Sequence, residues 1–109
     1  MAEADLPTLA LTVRQPWTWS ILFLEKDIEN RSWPTKVRGR VFLHAAKGMT
    51  SDEWTDGFQT AREACHPKFK GSTFPALDYL PRGGLVGTVE IVDCVTASTS
   101  RWFFGRYGF

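Results

Sequence analysis

At 109 residues the chain is the size of one domain, long enough to bury about two thirds of its unfolded surface. Hydrophobic residues make up 43%, which excludes intrinsic disorder, and no apolar run reaches the ~18 residues of a membrane span. The net charge of +1 argues against a strong, sequence-blind DNA binder, whose affinity scales with the phosphates it neutralises, but leaves room for a pocket that reads one base.

The opening MAEADLPT is acidic and lacks an apolar signal core, so no secretory leader is expected, and residues 1–7 are expected to be flexible. Thr8 to Val13 (TLALTV) is predicted as the first strand. Arg14-Gln15-Pro16 ends it, and the proline suits the first turn of a short helix running to about Leu24. Trp17, Ile21 and Leu24 share one face of that helix, Trp19 and Phe23 another, so it is expected to be wedged between two surfaces. Asp27 to Trp33 (DIENRSW) is predicted as a strand whose alternation puts Glu29, Arg31 and Trp33 on one side and Ile28 on the other. Val41 to Ala45 is a further strand. A second helix is expected from Ser51 as N-cap to about Cys65, with Asp52 and Glu53 in its first turn. Lys68 to Pro81 is a loop. Leu85 to Val95 is the longest strand, with Gly87 marking a bulge or a close backbone approach. The segment from Trp102 to Phe109 carries five aromatics, too apolar to hang free; it is expected to fold back over the domain or to pair with a second copy in a twofold dimer, made through this tail or through an open barrel edge. Few strands of uneven length with two helices point to an α+β domain built on a small, partly closed barrel.

Three ordered stretches carry a resemblance: LTVRQPWTWSIL (Leu11 to Leu22), EKDIENRSWP (Glu25 to Pro34), and the pair VFLHAAKG (Val41 to Gly48) with LPRGGLVGTVEIVDC (Leu80 to Cys94). They resemble the ASCH domain, with Lys26, Ile28, Glu29 and Arg31 filling its K-x-I-E-x-R motif. The resemblance covers almost everything from Leu9 onward. It implies a PUA-like mixed β-barrel with two packed helices and a cleft beside the first helix, in a superfamily of RNA binders, some of which read modified bases. It also implies one more strand after residue 109, which this sequence does not contain. One bacterial branch of that fold hydrolyses the acetyl amide of acetylcytidine with a lysine, a threonine three residues later and a distant glutamate. Lys26 matches the lysine, whereas the threonine position holds Glu29.

Glu29, Arg31 and Trp33 are the strongest local constellation: a carboxylate and a guanidinium for base edges and an indole for stacking, or else a solvated strand face. Lys26 is a phosphate contact, a catalytic base if desolvated, or an ordinary lysine beyond a helix C-terminus. Arg14 and Gln15, with the N–H groups of the next turn, are placed to hold a phosphate or to cap and pack the helix. Trp17 is a stacking platform or a core residue. His44 and Lys47 flank the small residues Ala45 and Ala46, where a ligand could approach the backbone; a satisfied core histidine is the alternative. Lys36 and Arg38, with Arg40, form a basic turn able to touch a phosphate backbone or simply to be solvated. Cys65 and Cys94 have neither CxxC nor metal-ligand spacing, and with two His the expectation is reduced thiols in a cytoplasmic protein, with no metal and no cofactor. Two functional classes follow. One is a binding module for RNA, single-stranded nucleic acid or a nucleoside, using Arg14, Gln15, Trp17, Arg31, Trp33, His44, Lys47, Lys36 and Arg38. The other is an amidohydrolase on a modified pyrimidine nucleoside, with Glu29 as base and Lys26 as oxyanion stabiliser.

Overall fold

The computed structural model describes residues 7–109, so the expectation of a flexible N-terminal segment falls, apart from Pro7, outside the described residues. The elements run β1 (Ala10–Val13), α1 (Trp17–Phe23), β2 (Asn30–Arg31), β3 (Gly39–Ala45), α2 (Ser51–Ala64), β4 (Gly84–Ile91) and β5 (Tyr107–Gly108), with two single 3₁₀ turns between α2 and β4. β1 and β3 are parallel, a pairing that needs a crossover, here supplied by α1 and β2. β4 completes a sheet of order β1-β3-β4, antiparallel to β3. β3 alternates as the period of two demands, burying Val41, Leu43 and Ala45 and turning Arg40, Phe42 and His44 the other way. Gly87 pairs with Leu43 immediately before a register shift, so of the two expectations the bulge holds; what lies close to it is a side chain, since a Cβ there would stand 3.1 Å from Leu22 Cδ2.

β2 and β5 form a separate two-stranded antiparallel sheet. The expected barrel is therefore corrected: the two sheets do not close on one another. No ladder joins β1 to β2; Arg31 Nη2 instead donates to the Thr12 carbonyl at 2.5 Å, a side chain standing where a backbone pairing would run. The strand expected over Asp27 to Trp33 shrinks to Asn30 and Arg31, which pair with Gly108 and Tyr107, with Glu29 bonded to Phe109 just before them.

The start of α2 is also shifted from the expectation. Thr50, not Ser51, is the N-cap: its hydroxyl accepts from Glu53 N at 3.1 Å while Glu53 Oε1 accepts from Thr50 N at 2.9 Å, a reciprocal capping box. Arg14 then grips the same carboxylate through Nε and Nη2 at 2.5 and 2.6 Å, tying the end of β1 to the start of α2. The two helices touch where Gly57 lies on Pro16; a Cβ at Gly57 would fall 2.1 Å from Pro16 Cγ.

The core of the helical side is aromatic. Phe74 is buried and sets its edge or face against Trp19, Trp54, Phe58 and Phe69 at centroid distances of 5.2 to 6.2 Å. Trp102 is buried against the same cluster. The C-terminal aromatic segment thus folds back. Phe109 N donates to Glu29 O at 2.9 Å, Glu29 N returns a bond to Phe109 O at 3.2 Å, and Gly108 exchanges two 2.8 Å bonds with Val95. Among the described residues no helix is long and apolar enough to cross a membrane.

Candidate nucleotide-binding cleft

α1 is buried through its small polar residues. Thr18 Oγ1 donates to Val13 O at 2.9 Å, and Thr18 and Ser20 are fully enclosed, while Phe23 is 66% exposed. Gln15 is spent inside the protein: Nε2 donates to Pro81 O and Oε1 accepts from Trp19 N, each at 2.9 Å. This is the capping and packing role. Thr18 N donates to Arg14 O, so with Trp19 N taken by Gln15 the start of α1 offers little to a phosphate.

Past α1 the chain turns sharply at Glu25, whose φ of 56° is left-handed. The turn sends Lys26 inward. Its side chain is 1% exposed, Nζ donates to the Ile28 carbonyl, and Nζ lies 3.2 Å from Glu29 Oε1 and 5.9 Å from the centre of the Trp17 ring. Burial pushes the Lys26 ammonium below the usual lysine range, and the Glu29 carboxylate opposes the shift. Glu29 Oε2 meets Arg31 Nε at 3.1 Å, an ion pair without hydrogen-bond alignment, so one carboxylate bridges two cations. The Arg31 guanidinium lies 6.0 Å from the centre of the Phe109 ring.

Two cavities open on this pair. One, of about 170 Å³, is walled by Trp17 and Phe104 with Lys26, Glu29 and Asn30 at its base. The other, of about 280 Å³, lies in the gap between the two sheets, lined by Leu11, Ile21, Ile28, Val89 and Phe109 beside the same Lys26 and Glu29. The unclosed barrel is what leaves this second space.

Of the residues singled out from the sequence, Trp17, Lys26, Glu29 and Arg31 come together here. The others do not. Arg14 is held by Glu53, which the guanidinium keeps down at about 2, well below the usual carboxylate range. Trp33 is 62% exposed, because the strand that would carry it to the Glu29 side ends at Arg31. His44 Nδ1 sits 3.4 Å from Thr12 Oγ1 on the opposite face of the sheet from Leu43. Lys47 is exposed beside Gly83. Lys36 is exposed, and Arg38 donates to the carbonyls of Thr35 and Val37 with Asp93 at 3.7 Å.

The family model for the ASCH domain matches residues 11–108, a span that holds Trp17, Lys26, Glu29, Asn30, Arg31 and Phe104. The chain belongs to the ASCH domain family. It is 34% identical over 86 residues to activating signal cointegrator 1 of Homo sapiens and 33% identical over 86 residues to that of Mus musculus. The matched segment is 79% of this chain but only 14% of each relative, so the likeness concerns one domain of a much longer protein.

Two residues of this ASCH domain escaped the sequence reading. Asn30 lies on the wrong side of a strict strand alternation, yet its carboxamide pins the C-terminal segment from both ends: Nδ2 donates to Trp102 O at 2.8 Å and Oδ1 accepts from Phe104 N at 3.0 Å. Phe104 was legible only as one aromatic among five; that bond is what turns it into a cleft wall. Nothing in the spacing of residues 30 and 104 signals the contact.

Proposed function

We propose that this ASCH domain binds single-stranded RNA or a modified nucleoside, taking one base into the cleft beside α1. The observation that carries the reading is the buried Lys26–Glu29 pair at the base of an aromatic-walled cavity. Trp17 and Phe104 line the cavity, and aromatic side chains are the usual partners on which an unpaired base stacks. An ammonium has three N–H donors, and Ile28 O and Glu29 use two, leaving one for a base edge. Buried polar groups so placed also discriminate well, since a base lacking the right partner leaves them unpaired. The test is a titration of nucleosides and short RNAs followed by tryptophan fluorescence. Trp17→Ala should cost ~1–3 kcal/mol of binding, the worth of a stacked base. Equal affinity in variant and parent, with circular dichroism unchanged, would sink the cleft as the site.

One observation favours a second reading, hydrolysis of an acylated pyrimidine nucleoside. A buried lysine 3.2 Å from a carboxylate suits amide hydrolysis, with Glu29 as base toward water and the Lys26 ammonium stabilising the oxyanion. Turnover of acetylcytidine that disappears in both Lys26→Ala and Glu29→Gln is the expected outcome of that chemistry. Absence of product at high protein concentration leaves binding as the function.

A further inference from the structure

We infer that the domain holds a second nucleotide of the same strand in a groove on the far side of the Trp102–Phe104 segment from the cleft. The inference rests on the reading above and extends it from one base to a strand. The groove has a volume of about 460 Å³, within the range of small-molecule sites, and lies between the ends of α1 and α2 and the loop that follows α2. Phe23 and Phe69 form its apolar wall, and Lys68 and Lys70 its polar rim. Phe23 is the exposed ring that α1 leaves uncovered, at 66% accessibility. Among the described residues neither lysine has an ion-pair partner, and Glu25 is the one carboxylate lining the groove. Ring faces beside unneutralised ammonium groups suit a base and its phosphate.

Continuity with the cleft selects a nucleic acid strand over a separate anionic ligand. Leu24 and Glu25 line the groove while the next residue, Lys26, lines the cleft, so the two spaces lie on either side of one short turn. The partition between them is the segment that Asn30 holds: Trp102 borders the groove and Phe104 the cleft. A strand with one base beside Trp17 needs only to cross this ridge to set its neighbour on Phe23.

The experiment uses calorimetric titration of the full chain with each of the four nucleosides, acetylcytidine, a mixed-sequence RNA hexamer and an oligoglutamate peptide. The parent should bind the hexamer at least tenfold more tightly than any nucleoside. Phe23→Ala and the double variant Lys68→Glu/Lys70→Glu should each remove most of that gain, at least fivefold, and leave nucleoside affinity unchanged. The slope of log K against log salt should also fall by about 1.4 in the double variant, the value for two phosphate contacts on a single strand. All three side chains are exposed, and circular dichroism checks that the fold is kept. Hexamer affinity equal to that of the nucleosides, or unaltered in the variants, overturns the second subsite and leaves the cleft standing. Oligoglutamate bound as tightly as the hexamer overturns the choice of ligand. A parent that binds neither nucleosides nor hexamer overturns the cleft reading and this one together.

Discussion

α1 separates two unlike regions. On one side Trp19 and Phe23 join Trp54, Phe58, Phe69 and Phe74 in an aromatic cluster; on the other Trp17 and Ile21 border cavities whose shared base is Lys26 and Glu29. Both pairs are four residues apart on the same seven-residue helix. The aromatic side is assembled from apolar burial and ring contacts, which favour folding without reservation. The cleft side encloses charges whose desolvation costs about as much as their attraction returns, so its arrangement is weak support for the fold. The aromatic side of the helix thus supplies most of the stability, while the Lys26–Glu29 cleft on its other side supplies little of it.

The largest expected effect falls on the aromatic side. Phe74→Ala removes a ring in contact with four others and should lower the unfolding free energy by ~3–5 kcal/mol in urea titration. A change under ~1 kcal/mol would erase the contrast by showing that this cluster holds little. On the cleft side Lys26→Met keeps the volume but takes the donor from Ile28 O and leaves Glu29 with Arg31 alone, so stability should fall by ~1–3 kcal/mol, less than for Phe74→Ala. Nucleoside affinity should nevertheless fall by at least about tenfold, or ~1.4 kcal/mol. A loss of stability as large as that of Phe74→Ala would show that the cleft is part of the scaffold after all.

Gly57→Ala tests how tightly α2 sits on α1. Alanine is the better helix former by about 1 kcal/mol, but its Cβ would meet Pro16 Cγ at 2.1 Å. A net destabilisation of ~1–3 kcal/mol in thermal melts is expected, the range for overpacking; a stabilised variant would mean that the two helices part easily. The smallest effect concerns pH. Glu53 sits at about 2 in the folded chain against an ordinary 4.5, so its contribution to stability is present above about 4.5 and is lost as pH falls toward 2. Glu53→Gln keeps the capping geometry and removes the charge paired with Arg14. The melting temperature of the parent should therefore fall more steeply across that window than that of the variant, and parallel curves would remove the Arg14 pair from the account.

The legible part of this protein was local. The short helix after Pro16, the alternation of β3 and the irregularity at Gly87 follow from spacing, the ASCH motif through Lys26 and Arg31 from family resemblance, and the aromatic composition of the tail required burial without deciding where. Side-chain type also marked Trp17, Lys26, Glu29 and Arg31. What the sequence could not decide were the partners that lie far along the chain. Strand pairing is a contact between distant segments, so Asp27 to Trp33 read as a strand until the shortness of β5 cut it to two residues and left Trp33 in solvent. Gln15 and Arg14 looked free to meet a phosphate until Pro81 and Glu53, 66 and 39 residues away, occupied them. Phe104 became a wall only because Asn30, 74 residues earlier, fixes its backbone. Local pattern reports which atoms can bond; only the folded chain determines which of those bonds are already made and which donors remain for a ligand.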